Sequence, residues 1–465
     1  MPTTNTALPA ADSEIKPKRR TRRVKKEALV EDISPVEPIN LKIPFYVKPT
    51  ELNYDDPEKT YTAVVNNMGK CFPYGRIPCV PTEELAEGIK LDFNNGCRVY
   101  VPETSPVTYK LEVFDADKNL SIYNCEVPPG MMAGTTKKFY IKYRVKLTKK
   151  GETEPTIDYT LDLTDRLVLV QANGGGIGDA IAWFNNVDAF AEKHKCRILM
   201  SMDKRMTSLF RNQYPNIRFI TPDETTLYKP YASYYLGLFF AGDQDNQPID
   251  FRQVGLHEIS AYILGVPVST TPPKLDLNMP RQIKEKYVVI STQGTTYCKN
   301  WNNPFGWFQV IKFLKENGYR VLCVDKSPVC ATGTHSSSIP FGCEDFTGDI
   351  PLQKRVDLIK DADFFVGLSS GISWLAWCCN IPVVMISGFT EVYNEFPSPY
   401  RVINPLVCHG CWNDQRENFD HYDYMYCPRK KGTQDEYICT RAITADQVIN
   451  VIKTVPTFTA GATND

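Results

Sequence analysis

A buried-type apolar run that leads through glycines into a helix-like segment, RLVLVQANGGGIGDAIAW (166–183), constrains the fold of this chain most strongly. Apolar side chains continue at helical spacing after the glycines, and the strand and helix segments CRILMSM and MTSLFRNQY follow. The same rhythm begins again at KYVVIST (286–292). Alternation of strands and helices predicts parallel sheets with right-handed crossovers. We therefore expect an α/β fold with two doubly wound units that face each other across a cleft.

A different pattern precedes these units, from about residue 40 to residue 164. Short stretches such as CRVYVP, TYKLEVFDA and KKFYIKYRVKLT alternate apolar and polar residues at a period of two. This pattern predicts an antiparallel β sandwich or small barrel. Since the region contains no cluster of catalytic residue types, we interpret it as an assembly or binding module.

Charge and hydropathy suggest a cytoplasmic protein of ordinary composition. The 465 residues carry a formal charge of -1, and no apolar run reaches the roughly 18 to 20 residues that span a bilayer. The N-terminus lacks a signal-peptide core, so the 15 cysteines are expected to be reduced unless some bind a metal. The basic segment KPKRRTRRVKK (16–26) could contact nucleic acid, an acidic partner or anionic lipid. Its composition favours a solvated, disordered tail, and nucleic acid is not expected as a partner.

The glycine loop at 171–183 does not match a dinucleotide-binding fingerprint, because the spacing of its glycines is wrong. Asp179 follows these glycines in the first turn of the predicted helix, where the helix dipole favours a carboxylate. Two interpretations remain open for it. Asp179 is either a helix-start residue or a general base that accepts the proton of a substrate hydroxyl.

Two loops of the second unit carry groups suited to a diphosphate. One is STQGTTYCKNWNNPFGW (291–307), with hydroxyls and a lysine, and the other is VGLSSGISW (366–374), where a strand meets a helix start. Backbone N–H groups at such a start, with a nearby cation, can neutralise an anion. The candidate donor-binding residues are Thr292, Thr295, Thr296, Lys299, Gly367, Ser369, Ser370 and Gly371.

Four cysteines near the C-terminus, Cys408, Cys411, Cys427 and Cys439, predict a metal site. The CxxC pair places two thiolates on one turn, and the later two can complete a tetrahedral set. The segment has few core residues, so a metal could supply folding energy. Soft thiolates suit zinc or iron, and the spacing does not choose between them. His409 and His421 are possible substitute ligands.

Residues 225–265 interrupt the first unit with the aromatic stretch YKPYASYYLGLFF. An acceptor-binding flap, a protein interface and a buried hairpin are all compatible with it. Near the end of the chain, Thr444 and Gln447 form the spacing of a capping box and predict a closing helix.

The chain resembles the bacterial autotransporter heptosyltransferases, which are related to the lipopolysaccharide heptosyltransferases. The motifs that carry the resemblance are GGGIGDAIAW, YCKNWNNPFGW, VGLSSGISWLAW with PVVMISGFT, and the four-cysteine set. The resemblance covers roughly residues 165–455. It implies a GT-B glycosyltransferase that transfers heptose from ADP-heptose to serine hydroxyls of an autotransporter passenger. It also implies that Asp179 is the catalytic base and that Lys299 binds the donor phosphates.

The resemblance further implies a structural iron held by the four cysteines, with zinc as the alternative, and a homo-oligomer, specifically a dodecamer. The expected organisation is a disordered basic tail (1–38), an N-terminal β-rich domain (39–164), an acceptor-side Rossmann-like domain (165–275), a donor-side Rossmann-like domain (276–400), a four-cysteine metal finger (401–441) and a closing helix with a tail (442–465). Two alternatives remain. One is a glycosyltransferase that uses another nucleotide sugar, and the other is a non-catalytic nucleotide-binding scaffold, which would not need Asp179.

Overall fold

A computed structural model of the chain describes residues 61–62, 77–240, 243–332, 335–418, 423 and 425–460. The basic tail at 1–38 and His421 lie outside the described residues, so the predictions made for them stay predictions. Within the described part of the chain, no helix is long and apolar enough to cross a membrane.

An antiparallel sheet forms in the N-terminal region, as its period-two alternation predicts. Its strands are β6 (Tyr109–Asp115), β7 (Leu120–Val127), β9 (Tyr143–Lys149) and β10 (Ile157–Thr160), in the order β10-β9-β6-β7. Along β6 the side chains of Tyr109, Leu111 and Val113 are buried and those between them are more exposed. This alternation gives the sheet one apolar face, which packs into the core.

The other strands of this region include four that belong to the sheet of the first α/β unit. These are β3 (Glu83–Glu84), β4 (Lys90–Asn94), β5 (Arg98–Tyr100) and β8 (Met132–Gly134). Strand β4 pairs in parallel with β14 (Ala232–Tyr235) of that unit, with Phe93 opposite Ala232. A separate small pair is formed by β1 (Tyr61–Thr62) and β2 (Ile77–Pro78). The N-terminal region is therefore partly an extension of the first Rossmann-like sheet.

The first unit has the predicted strand and helix alternation. Besides β14, its parallel strands are β11 (Leu167–Ala172), β12 (Arg197–Met202) and β13 (Ile217–Ile220), and its helices are α1 (Ile177–Phe184), α2 (Val187–His194), α3 (Lys204–Phe210) and α4 (Leu256–Leu264). The complete mixed sheet runs β13-β12-β11-β14-β4-β5-β8, with β3 beside β4.

Two details of the first unit differ from the sequence expectation. The single helix expected after the glycine loop is two helices, because the buried Asn186 amide donates to the His257 carbonyl and to Ser260 Oγ. The aromatic stretch contributes β14, a buried inner strand rather than a flap or a hairpin.

The second unit is a parallel sheet. Its strands are β15 (Tyr287–Ile290), β16 (Arg320–Cys323), β19 (Glu344–Asp345), β20 (Phe364–Leu368), β21 (Val383–Ile386) and β22 (Arg401–Val402), in the order β19-β16-β15-β20-β21-β22, and a separate hairpin is formed by β17 (Val329–Thr332) and β18 (His335–Ser338). The helices are α5 (Gly306–Glu316), α6 (Leu352–Ile359), α7 (Gly371–Cys378), α8 (Ile438–Arg441) and α9 (Ala445–Ile452). Helix α9 begins with the predicted capping box, in which Thr444 Oγ1 accepts from the Gln447 N–H at 3.2 Å.

The two units contact each other where α1 and α7 begin. A Cβ added at Gly178 in α1 would lie 2.7 Å from Cδ1 of Trp374 in α7, and one added at Gly371 would lie 2.8 Å from Cβ of Ile177. Only glycine permits so close an approach at these two positions. The chain thereby brings two helix N-termini, one from each unit, to the same place.

Candidate active site

A cavity of about 750 Å³ lies between the two α/β units at the carboxyl ends of their strands. This is the usual position of ligand sites in open α/β sheets. The predicted residues that line it are Asp179, Thr295, Lys299, Ser369, Ser370 and Gly371. The structure therefore brings the glycine loop of the first unit and both predicted donor loops of the second unit to one cleft.

Asp179 is held at the cleft by the glycine loop itself. Asp179 Oδ2 accepts a hydrogen bond of 2.6 Å from the Gly176 N–H. Gly175 has φ +81°, and a Cβ there would lie 2.7 Å from the Asp179 side chain. The glycines thus leave room for the carboxylate, and Asp179 also satisfies a free N–H at the helix start.

The surroundings of Asp179 favour its protonated form more than water does. Burial raises the pKa of this carboxyl above the ordinary aspartate value, and the Gly176 N–H and the charge of Lys299 lower it in part. Desolvation disfavours the charged form, while a nearby cation favours it. A carboxylate with a raised pKa accepts a proton more readily than an exposed aspartate does, which suits a general base.

Lys299 ends a short 3₁₀ turn (Tyr297–Lys299) in the loop after β15. Its ammonium lies 6.0 Å from the ring centroid of Phe389, which also lines the cleft. The face of an aromatic ring attracts a cation at this distance weakly. The position is suited to an anionic ligand.

Three predicted donor residues do not line the cleft. Thr292 Oγ1 and its N–H both bond to the buried Asp325, at 2.7 Å and 2.9 Å. Thr296 Oγ1 lies 3.1 Å from Cys298 Sγ, and Gly367 is inside the buried strand β20. These three residues support the loops without lining the cavity themselves. Asp325 was missed by the sequence reasoning, although an acidic residue at the end of the second strand, YRVLCVD, was an available signal.

The loop at 369–371 begins α7 and presents polar groups to the cleft. Ser370 Oγ is buried and has no hydrogen-bond partner among the residues that the structure describes. Ser369 instead donates its hydroxyl proton to Glu395, a buried residue that sequence reasoning did not identify. Glu395 is also paired with Arg401 and lines the same cavity.

The four predicted metal-ligating cysteines are free thiols in one segment that packs against the second unit. The Gly410 N–H bonds to the Gly388 carbonyl at 2.9 Å, and the Trp412 N–H bonds to the Phe389 carbonyl at 3.1 Å. Burial raises the pKa of the Cys439 thiol to about 12, and the neighbouring Cys427 contributes to this rise. A cation would relieve this repulsion between thiolates, so the donor set fits a soft metal.

The side chains of the four cysteines do not form the geometry of a metal site. Across the described ranges, no three His, Cys, Asp or Glu side chains are grouped closely enough to hold an ion. His409, the substitute ligand, has Nδ1 2.7 Å from the Val407 carbonyl oxygen and Nε2 3.7 Å from Glu391. The assignment of the four cysteines as ligands stays a prediction.

Two family models match the chain. Residues 86–151 match the N-terminal domain of the glycosyltransferase TibC, and residues 263–416 match glycosyltransferase family 9, the heptosyltransferases. The fold and the cleft between its units are thus those of a GT-B-like glycosyltransferase of family 9.

Similar whole proteins define the family more narrowly. The autotransporter heptosyltransferase Aah of Escherichia coli is 44% identical over 381 residues, which cover 82% of this chain and 96% of Aah. TibC of Escherichia coli O78:H11 is 46% identical over 375 residues, covering 81% of this chain and 91% of TibC. The chain belongs to the autotransporter heptosyltransferase family. A Burkholderia thailandensis relative described as inactive, BimC, is 34% identical over 383 residues, covering 81% of this chain and 88% of BimC.

A solved structure supports the same assignment. The crystal structure of TibC from enterotoxigenic E. coli superposes with a TM-score of 0.79 at 44% identity and covers 82% of this chain and 98% of TibC. That protein is described as an iron-containing dodecamer and was also solved in complex with ADP-D-β-D-heptose, with the same TM-score, identity and coverage. The resemblance stated from the sequence motifs is confirmed.

Proposed function

We propose that this chain transfers heptose from ADP-heptose to serine hydroxyls of an autotransporter passenger, with Asp179 as the general base. The observation that carries the proposal is the position of Asp179. It lines the same cavity as Lys299 and Gly371, which come from the opposite unit. A base on one wall and a cation with a helix N-terminus on the other are the groups that glycosyl transfer from a nucleotide diphosphate sugar requires.

The reaction distributes charge across the cleft. The serine oxygen attacks the anomeric carbon of heptose, the bond from that carbon to the diphosphate oxygen breaks, and Asp179 takes the serine proton. The electron pair leaves with ADP. Lys299 and the N–H of Gly371 stabilise this negative charge, because a cation and a helix N-terminus border the space in which it develops. Thr295 and Ser370 border the same space and add hydroxyl donors to the diphosphate.

On this proposal, the acceptor binds on the side of residues 165–275 and the donor on the side of residues 276–400. Residues 39–164 are then an appended region for assembly or binding. Residues 401–441 form the metal finger, and residues 442–465 are the closing helix and a tail. The TM-score of 0.79 with TibC supports this arrangement.

The four cysteines would hold one structural iron per chain, with zinc as the alternative. The support is the set of four free thiols and the iron in TibC. A metal bound there would fasten the segment from Cys408 to Cys439, which contributes Trp412 to the cleft wall. We further propose that the chain forms a homo-oligomer, as the dodecameric TibC does.

A non-catalytic scaffold is the second candidate, because the relative BimC is described as inactive. A donor panel separates the possibilities. Purified chain, a passenger fragment and either ADP-heptose or ADP-glucose would be incubated and the passenger mass measured. Heptose added by the wild-type chain but not by Asp179→Asn supports the proposal. Addition of glucose alone would indicate another nucleotide sugar, and no addition from any donor would favour the scaffold.

A further inference from the structure

The donor cleft contains a buried carboxylate that the reaction outlined above does not use. Glu395 lies in the loop between β21 and β22, is only 2% exposed and still contributes to the cavity lining. Arg401 pairs with its Oε2, and Asn394 Nδ2 donates to its Oε1 at 3.0 Å. Burying a charged pair is costly, and such a pair is weak evidence for stability alone. The position of Glu395 in the cleft therefore indicates a role in ligand binding.

Glu395 determines which way the Ser369 hydroxyl points. Ser369 is 6% exposed and its Oγ–H donates to Glu395 Oε1. A carboxylate with a lowered pKa accepts hydrogen bonds only, and Arg401 lowers the pKa of Glu395 although burial opposes this. The single proton of Ser369 is therefore committed to Glu395. Ser369 offers only lone pairs to a ligand in the cleft.

The surrounding network prevents the carboxylate from turning away. Asn413 Nδ2 donates to Asn394 Oδ1 at 3.1 Å, which orients the Asn394 amide so that its NH₂ group faces Glu395. Arg401 is itself fixed by bonds to the Thr390 carbonyl and hydroxyl, at 3.1 Å and 3.0 Å. The Glu395 carboxylate is thus held by two fixed donors, Arg401 and Asn394, and Ser369 is its third donor.

A site that only accepts hydrogen bonds cannot bind a diphosphate, whose oxygens are also acceptors. It matches hydroxyl groups, which carry protons. The loop with Ser369 runs into Gly371, which meets Ile177 at the start of the helix that carries Asp179. Ser369 is therefore near the reacting end of the cleft, where a donor would place its sugar rather than its adenosine.

We propose that Ser369, oriented by Glu395, accepts a hydrogen bond from a hydroxyl of the donor sugar, so that Glu395 is a positioning residue for sugar recognition. This inference rests on the proposed function, because it takes the sugar to lie beside Asp179. It replaces the expected contact of the Ser369 hydroxyl with the diphosphate. Contacts to the diphosphate are left to Lys299, Thr295, Ser370 and the N–H of Gly371.

The test compares the affinities for ADP and ADP-heptose by calorimetry in the full-length chain. In Glu395→Gln the side-chain NH₂ group can donate to Ser369, whose proton then turns toward the ligand. We expect ADP-heptose affinity to fall about three- to ten-fold, the size of one hydrogen bond, with ADP affinity unchanged. Ser369→Ala should give the same sugar-specific loss, and it decides the question if Glu395→Gln does not fold. In the Ser369→Ala background, Glu395→Gln should add no further loss.

Glu344→Gln is the matched control, because Glu344 also pairs with an arginine, Arg320, at 2.6 Å but lies outside the cavity. It should leave both affinities unchanged. Equal losses of ADP and ADP-heptose affinity in Ser369→Ala, or no loss of either, would overturn the inference while the proposed function stands. A wild-type chain that binds ADP but gains nothing from the heptose would also overturn the inference, whereas a wild-type chain that binds neither ADP nor ADP-heptose would overturn both.

Discussion

Replacing Asp179 by asparagine separates its two possible roles, helix start and general base. Asparagine keeps the shape and an oxygen that can accept the 2.6 Å bond from the Gly176 N–H, so the start of α1 is preserved. It cannot take up the serine proton. Loss of a general base costs roughly 10²- to 10⁴-fold in rate. Since burial raises the pKa of Asp179, its charge is unfavourable there, and asparagine should not lower the melting temperature.

The assay is single-turnover transfer of heptose to a passenger fragment, with donor affinity and thermal unfolding measured on the same preparations. We expect the single-turnover rate constant to fall by about 10²-fold or more, while ADP-heptose affinity is kept or slightly improved, because a negative charge near the diphosphate is removed. Asp179→Ala is the comparison: it should lose the same activity and also about 0.5 to 1.5 kcal/mol of stability, because the Gly176 N–H loses its acceptor. Full activity in Asp179→Asn would remove Asp179 from the mechanism.

Four further predictions follow from the geometry. Lys299→Ala should weaken ADP binding by about ten-fold, the usual worth of a charge-assisted contact; unchanged calorimetry would exclude its phosphate role. The transfer rate should fall as pH drops through the pKa of Asp179, because only the ionised carboxylate is a base. Lys299→Ala should shift this fall in rate to higher pH, since Lys299 lowers the pKa of Asp179. Gly178→Ala should cost about 1 to 3 kcal/mol in thermal unfolding, because its Cβ would lie 2.7 Å from Trp374. Cys411→Ser should reduce bound metal measured by elemental analysis, and a wild-type chain without stoichiometric iron or zinc would contradict the ligand assignment.

The parts of the fold that could be read from the sequence are those with a local periodic signal. Alternation marked β6, and helical spacing after a strand marked the Asp179 loop and the loop at 369–371. Ligand-binding loops of open α/β sheets lie at the carboxyl ends of the strands, so each of these loops was expected at that edge of its own sheet, facing the cleft between the two units. The pattern of a strand followed by glycines and a helix was therefore sufficient to predict the cleft.

Long-range and single-residue features were not readable. The parallel pairing of Phe93 with Ala232 joins segments far apart in the sequence and has no local signature. The helix break at Asn186 depends on acceptors supplied by α4. Thr292 looked like a ligand-binding hydroxyl until Asp325 was found to accept from it. Glu395 stands in a loop without a pattern, and only its burial beside Ser369 reveals it.

The central claim is that this chain attaches heptose to serine and uses Asp179 to do so. Mass spectrometry of an autotransporter passenger co-expressed with the wild-type chain or with Asp179→Asn tests it most directly. We expect heptose on serine residues of the passenger with the wild-type chain and an unmodified passenger with the variant. A passenger that carries no heptose with the wild-type chain, or equal heptose with both, would contradict the account.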